Sequence, residues 1–132
     1  MAIQFTSISF FTRDVPRLRA FYEEVFGVKA QGDDMHSSLR VGAVGIVIAS
    51  VDLPKIVPSF HYASAQSSNN TVASFGVDDV DAEHERLLKL GAEMLNPPTT
   101  HPWGARSFQF KDPDGNILSF HNIRITIPNG LA

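Results

Sequence analysis

The strongest constraint on this chain is that it says the same thing twice. Asp14-Val15 stands 65 residues before Asp79-Val80, and Gly27 stands 64 before Gly91. Each copy runs from a strand-like stretch (Ile3 to Phe11; Thr71 to Val77) through an aspartate to a helical stretch, and each helical stretch stops at a glycine. A duplicated unit of about half the chain is the first thing any fold must accommodate.

The helices carry ordinary signals. Asp14 stands where a side-chain oxygen can accept from free amides, and Pro16 is tolerated in a first turn. Leu18, Phe21, Tyr22, Val25 and Phe26 recur at the three-four spacing of one buried face. Gly27 suits a left-handed stop. In the second copy Asp78 or Asp79 is the cap, Val80, Leu87 and Leu88 share a face, and His84 is read as a histidine packed on the helix edge. Glu23 and Glu24 are read as a solvated face.

Short strands follow each helix. In the first copy they are expected at about 27–33, 36–42 and 44–50, and in the second at about 92–95, 105–111 and 116–122. Asp112-Pro113-Asp114-Gly115-Asn116 is a hairpin turn in its own right: proline fixes one dihedral and glycine accepts a positive one. The turn explains both aspartates without catalysis. Each copy therefore reads βαβββ. Module one covers about 3–50, 51–70 is a linker and module two covers about 71–122. Residues 123–132 form a tail, and the whole of 1–132 is expected to be one α+β domain.

Composition narrows the function classes. The chain has 132 residues with 43% hydrophobic and 19% charged, enough for a core. No cysteine occurs, so disulfides, thiolate metal sites and cysteine nucleophiles are excluded. A formal charge of −3, with no basic cluster, argues against nucleic acid as a partner. No apolar run approaches the ~20 residues of a membrane span. The N-terminal residues lack the pattern of a secretory signal, so a cytoplasmic location is expected.

Taken together, Thr12 to Gly27 (TRDVPRLRAFYEEVFG), Val77 to Ala92 (VDDVDAEHERLLKLGA) and Trp103 to Phe120 (WGARSFQFKDPDGNILSF) resemble the vicinal oxygen chelate superfamily of glyoxalase I, extradiol dioxygenases and bleomycin-resistance proteins. The resemblance implies paired βαβββ modules forming a curved open-barrel mixed sheet, with helices outside and a ligand cleft on the inner face. It also implies assembly as a homodimer.

The same resemblance places divalent-metal ligands at fixed positions on the inner strands. They fall here on Ser7, on Val72, on Ser119 and within Val44 to Ser50, where Ser50 is the strongest donor. Serine, valine and an aliphatic strand do not supply the imidazole or carboxylate such metals require. Neither a metal nor another cofactor is therefore expected. The five histidines form no metal motif: His36 and His61 are assigned to loops, His84 to a helix, His101 to a Pro-rich loop and His121 to the last strand.

Strand alternation then identifies the cleft face. It carries Phe5, Ser7, Ser9 and Phe11; Val72, Ser74 and Gly76; Ser107, Gln109 and Lys111; and Ile117, Ser119 and His121. Trp103 is either a rim residue or a core plug, and Tyr62 is a second aromatic at the rim or an anchor for the linker. The expected site is Phe5, Ser7, Ser9, Phe11, Tyr62, Trp103, Gln109, Ser119 and His121, holding a small, partly aromatic organic molecule through neutral hydrogen bonds. His121 is its proton-responsive member, since imidazole changes charge near neutrality. Metal-independent binding, of the kind seen in sequestration or resistance, comes first. The alternatives are a metal-dependent lyase, isomerase or dioxygenase, a metal-free enzyme using His121, or a module whose cleft is filled by Phe5, Phe11 and Trp103.

Overall fold

In the computed structural model, residues 2, 4–58 and 71–122 are described below. The chain divides into two compact units, Met1–Gln66 and Ser67–Ala132. In the first, β1 (Ser7–Thr12), α1 (Val15–Phe26), β2 (Gln31–Gly32), β3 (His36–Val41), β4 (Val44–Ser50) and a short α2 (Leu53–Ile56) follow one another. The sheet order is β1-β4-β3-β2, with β1 parallel to β4 and the other pairs antiparallel. The second unit comprises β5 (Val72–Val77), α3 (Val80–Lys89), β6 (Glu93–Met94), β7 (Thr99–Thr100), β8 (Arg106–Lys111) and β9 (Ile117–Asn122). Its order is β5-β9-β8-β6, with β7 also on β8. The repeat is thus a repeat of topology: each first strand pairs in parallel with its module's last strand.

Each helix is capped as the sequence requires. Asp14 accepts from the Arg17 amide at 3.1 Å and Asp79 from the Ala82 amide at 3.0 Å, so Asp79 rather than Asp78 is the second cap. Gly27 ends α1 at φ 66°, where a Cβ would be strained. In the first core Tyr22 is fully buried, stacked on Phe10 at 5.6 Å and on Phe26 at 5.9 Å. In the second, Phe120 meets Phe75, Phe108 and Phe110 edge-on, with centroids 5.1–6.1 Å apart. His84 packs edge-to-face on Phe108 at 5.0 Å, the helix-edge role expected of it.

Several expectations need correction. The first strand begins at Ser7, leaving Phe5 ahead of it and 70% exposed. Strands two and six shrink to two residues each, because Gly32 at φ 115° and the Asn96-Pro97-Pro98 segment stop the ladders. The second sheet has five strands, since Thr99–Thr100 pairs with Ser107 and Arg106 inside what reads as a loop. His36 opens β3 rather than lying in a loop. The linker is partly helical, with Leu53 buried. Leu88 is 48% exposed because only Val80 and Leu87, one heptad apart, face the sheet squarely. Glu23 is not merely solvated: its carboxylate accepts from the Ala30 amide at 2.9 Å and closes the turn after α1. Among the described residues, no helix is long and apolar enough to cross a membrane.

Candidate functional site

Alternation along β8 and β9 buries Phe108, Phe110, Leu118 and Phe120 against the helix and turns Ser107, Gln109, Ser119 and His121 to the opposite face. Cross-strand register sorts these side chains into rows. Ser74, Ser119 and Gln109 lie side by side, and so do Gly76, His121, Ser107 and Thr99. Gln109 is held by Asn96, whose side-chain oxygen accepts from the Gln109 amide at 2.8 Å. Asn96 Nδ2 in turn reaches Gln109 Oε1 at 3.4 Å.

The β7–β8 hairpin borders this face. It closes through His101 N–H to Ala105 O (2.7 Å) and Gly104 N–H to His101 O (2.9 Å), with Gly104 at φ 97°. His101 Nε2 lies 2.9 Å from Ser107 Oγ, and its ring stacks on the Trp103 indole at 4.7 Å and 6°. Trp103 itself is 63% exposed. Neither it nor the exposed Phe5 is buried in the core of its own unit.

On the other face of the hairpin, the Arg106 guanidinium makes two bonds to Asp81, at 2.9 and 2.8 Å, and one to Thr100 Oγ1 at 3.0 Å. The guanidinium holds the Asp81 carboxyl below the usual range, and Asp81 raises Arg106 in return. The hairpin is therefore tied to α3 behind the sheet and to Ser107 in front of it. His121 Nδ1 lies 3.0 Å from the Asn122 carbonyl oxygen. A carbonyl can only accept, so Nδ1 carries the proton and Nε2 is the lone-pair nitrogen of the neutral ring.

The first unit presents a plainer face. Ser9, Val47, Ser38 and Gln31 form one row, and Ser7, Gly45 and Arg40 another. Phe11 is half-buried on the same side. Tyr62 lies outside the described residues, as do Phe60 and His61 beside it.

With this geometry in view, comparison with known proteins is informative. A family model of the Glyoxalase/Bleomycin resistance protein/Dioxygenase superfamily matches residues 4–120. The chain belongs to this superfamily. It is 26% identical over 123 residues to the uncharacterized protein YwbC of Bacillus subtilis (strain 168), covering 91% of this chain and 98% of that one. Its fold is similar to that of a glyoxalase/bleomycin resistance protein/dioxygenase from Nocardioides (TM-score 0.81, 20% identity, 100% of this chain and 91% of that one). It is also similar to a family enzyme from Burkholderia phytofirmans PsJN (TM-score 0.75, 21% identity, 90% of this chain and 98% of that one).

For a superfamily domain, the donor set then decides whether a metal fits. Ser7 and Val72 each stand seven residues before a helix-capping aspartate, Asp14 and Asp79. Ser7 pairs with Gly45 and Val72 with Ile117; two residues further on, Ser9 pairs with Val47 and Ser74 with Ser119. Within the Val44 to Ser50 stretch, the counterpart of Ser119 is therefore Val47. Ser50 is buried on the helix side with Ile46 and Ile48, and its hydroxyl accepts from the Asp52 amide at 3.0 Å. Two serines and two valines do not fit a divalent metal. Among the described residues, no three His, Asp or Glu side chains gather where they could hold one.

Two features escaped the sequence reading. The Thr99–Thr100 strand is too short for any periodicity. The His101–Ser107 pair follows from a hairpin whose register only the fold supplies.

Proposed function

We propose that this superfamily domain binds a small, partly aromatic organic molecule without a metal, on the sheet faces turned away from the helices, and releases it chemically unchanged. The observation that carries this reading is the chemistry of Ser7, Val47, Val72 and Ser119: these positions hold hydroxyls and isopropyl groups with no imidazole or carboxylate among them, and the charged side chains in their rows, Arg40 and Lys111, are cations rather than metal ligands. Such a face favours hydrogen bonding to uncharged polar atoms and packing of apolar ones over charge neutralisation. In the second module Ser119, Gln109 and His121 supply directional contacts, while Trp103 offers an indole for stacking. Among the described residues the Gln109 side-chain nitrogen Nε2 has no partner, which leaves it to donate to a ligand. In the first module Ser7, Ser9, Phe11 and Phe5 contribute hydroxyls and phenyl surface. Sequestration of a toxic compound is one use of such a site, and a homodimer in the cytoplasm is the form we expect to carry it out.

A thermal-shift screen of planar aromatic compounds, run with and without a chelator, tests the reading. At least one compound should raise Tm equally in both conditions, and Trp103→Ala should reduce the shift. A shift that requires added divalent metal would overturn it. One observation favours a second reading, a metal-free enzyme. With its Nδ1 directed at the Asn122 carbonyl, His121 leaves Nε2 as the candidate base on the same face, and in that case a ligand would emerge altered and His121→Ala would abolish turnover.

A further inference from the structure

The His101–Ser107 pair is the one place among the described residues where a hydroxyl meets an imidazole nitrogen at hydrogen-bond distance. Nε2 lies 2.9 Å from Oγ, both residues are half-buried, and both face away from the helix. The imidazole cannot swing freely. Its ring is stacked on the Trp103 indole at 4.7 Å with an interplanar angle of 6°, and its own backbone N–H is bonded to Ala105 O across the hairpin. Ser107 is equally constrained, since it sits inside a ladder with Thr99 on one side and His121 on the other. A serine hydroxyl within reach of an oriented base is the arrangement that makes an otherwise weak oxygen nucleophile reactive. Nothing in the fold requires it. Ser107 is on the face of β8 turned away from the buried Phe108 and Phe110, and the hairpin is already closed by its backbone bonds and by Arg106.

We propose that Ser107 is an activated nucleophile with His101 as its base, and that this face accepts acyl groups from aryl esters. In the first step Ser107 Oγ forms a bond to the ester carbonyl carbon as its proton passes to His101 Nε2. The bond from that carbon to the aryloxy oxygen then breaks, and the aryloxide leaves with the bonding pair. The imidazolium returns its proton to the aryloxide or to water. In the second step a water molecule attacks the acyl-serine carbon while His101 takes its proton. The Oγ–carbon bond breaks, the proton goes back to Oγ, and a carboxylic acid is released. No oxidant, metal or cofactor enters the balance. An aryl leaving group is the natural choice because the exposed indole of Trp103 lies beside the base and can stack against it.

The test uses the whole chain with p-nitrophenyl acetate, following release of p-nitrophenolate and then locating the acetyl group by peptide mass spectrometry. A burst approaching one equivalent per chain is expected, with the acetyl group on Ser107. Ser107→Ala should abolish the burst, and His101→Gln, which keeps a polar side chain but no base, should slow it by about 100-fold or more. If Ser107→Ala did not fold, as judged by circular dichroism, the His101→Gln rate and the acetylation map of the parent would still decide. Acetyl groups confined to lysines or other histidines, a burst retained in Ser107→Ala, or no burst at all would each overturn the proposal. These outcomes are independent of the thermal-shift screen, so ligand binding and acyl transfer can fail separately.

Discussion

The two modules share a scaffold and differ in what they put on it. Both run strand, aspartate cap, helix and returning strands, and both pair the first strand with the last in parallel. Yet the face of the first sheet is serine, valine, glutamine, one phenylalanine and one arginine, whereas the second carries two imidazoles and a carboxamide, with a tryptophan on the fastened hairpin beside them. The difference arises from an insertion in the ladder. In the first module β2 leads into the β3 hairpin, while in the second the chain adds β7 and its loop before β8. Duplication supplies the frame, and the extra hairpin adds His101 and Trp103 to it.

If the frames are equivalent, their cores should respond alike. Tyr22→Ala and Phe120→Ala each remove a ring that meets several aromatic neighbours, and each should cost about 3–5 kcal/mol in urea unfolding. A tyrosine variant as damaging as this beside a phenylalanine variant costing under about 1 kcal/mol would break the equivalence.

The hairpin turns should respond differently. Asp112 is buried and accepts from the Asp114 and Asn116 amides and from Asn116 Nδ2. Asp112→Ala should cost about 1.5–3 kcal/mol in the same assay. The first module turns at Gly42 and Ala43 with Gly42 at φ 61°, and Gly42→Ala should cost about 1–2 kcal/mol through backbone strain alone. The helix caps should again be equal, with Asp14→Ala and Asp79→Ala each losing about 1 kcal/mol.

The smallest effect is electrostatic. The Asp81 carboxyl is held low by Arg106, so its contribution is complete above the unfolded carboxylate value and disappears as pH falls through the folded one. Asp33 is held low by the Met35 and His36 amides rather than by an ion pair. Both carboxyls are exposed, so the acid limbs should be shallow. Added salt should weaken the Asp81 contribution more than that of Asp33, as urea titrations of Asp81→Asn and Asp33→Asn across acidic pH would show.

The frame was legible because its signals are local. An aspartate before an apolar period and a glycine after it define each helix regardless of what surrounds them, and the Asp112–Asn116 turn carries its own hydrogen-bonding groups. Alternation correctly sent Ser107, Gln109, Ser119 and His121 to one face, because burial of Phe108, Phe110, Leu118 and Phe120 leaves no other choice. Register was not local. It narrowed the fourth metal position from anywhere within Val44 to Ser50 to Val47, since only the pairing of Ser9 with Val47 reveals which side chains of β4 face forward. The stack of Trp103 on His101 and its exposure were equally illegible, since both depend on the fold of the hairpin.

The account turns on the absence of suitable metal donors from positions where this superfamily's architecture would place them. Elemental analysis of the purified protein, after growth with zinc, manganese, iron and nickel and dialysis without chelator, tests that most directly. The account predicts far less than one metal per chain and no change in Tm when the same metals are added back. One tightly held equivalent, with Tm rising on its return, would contradict it.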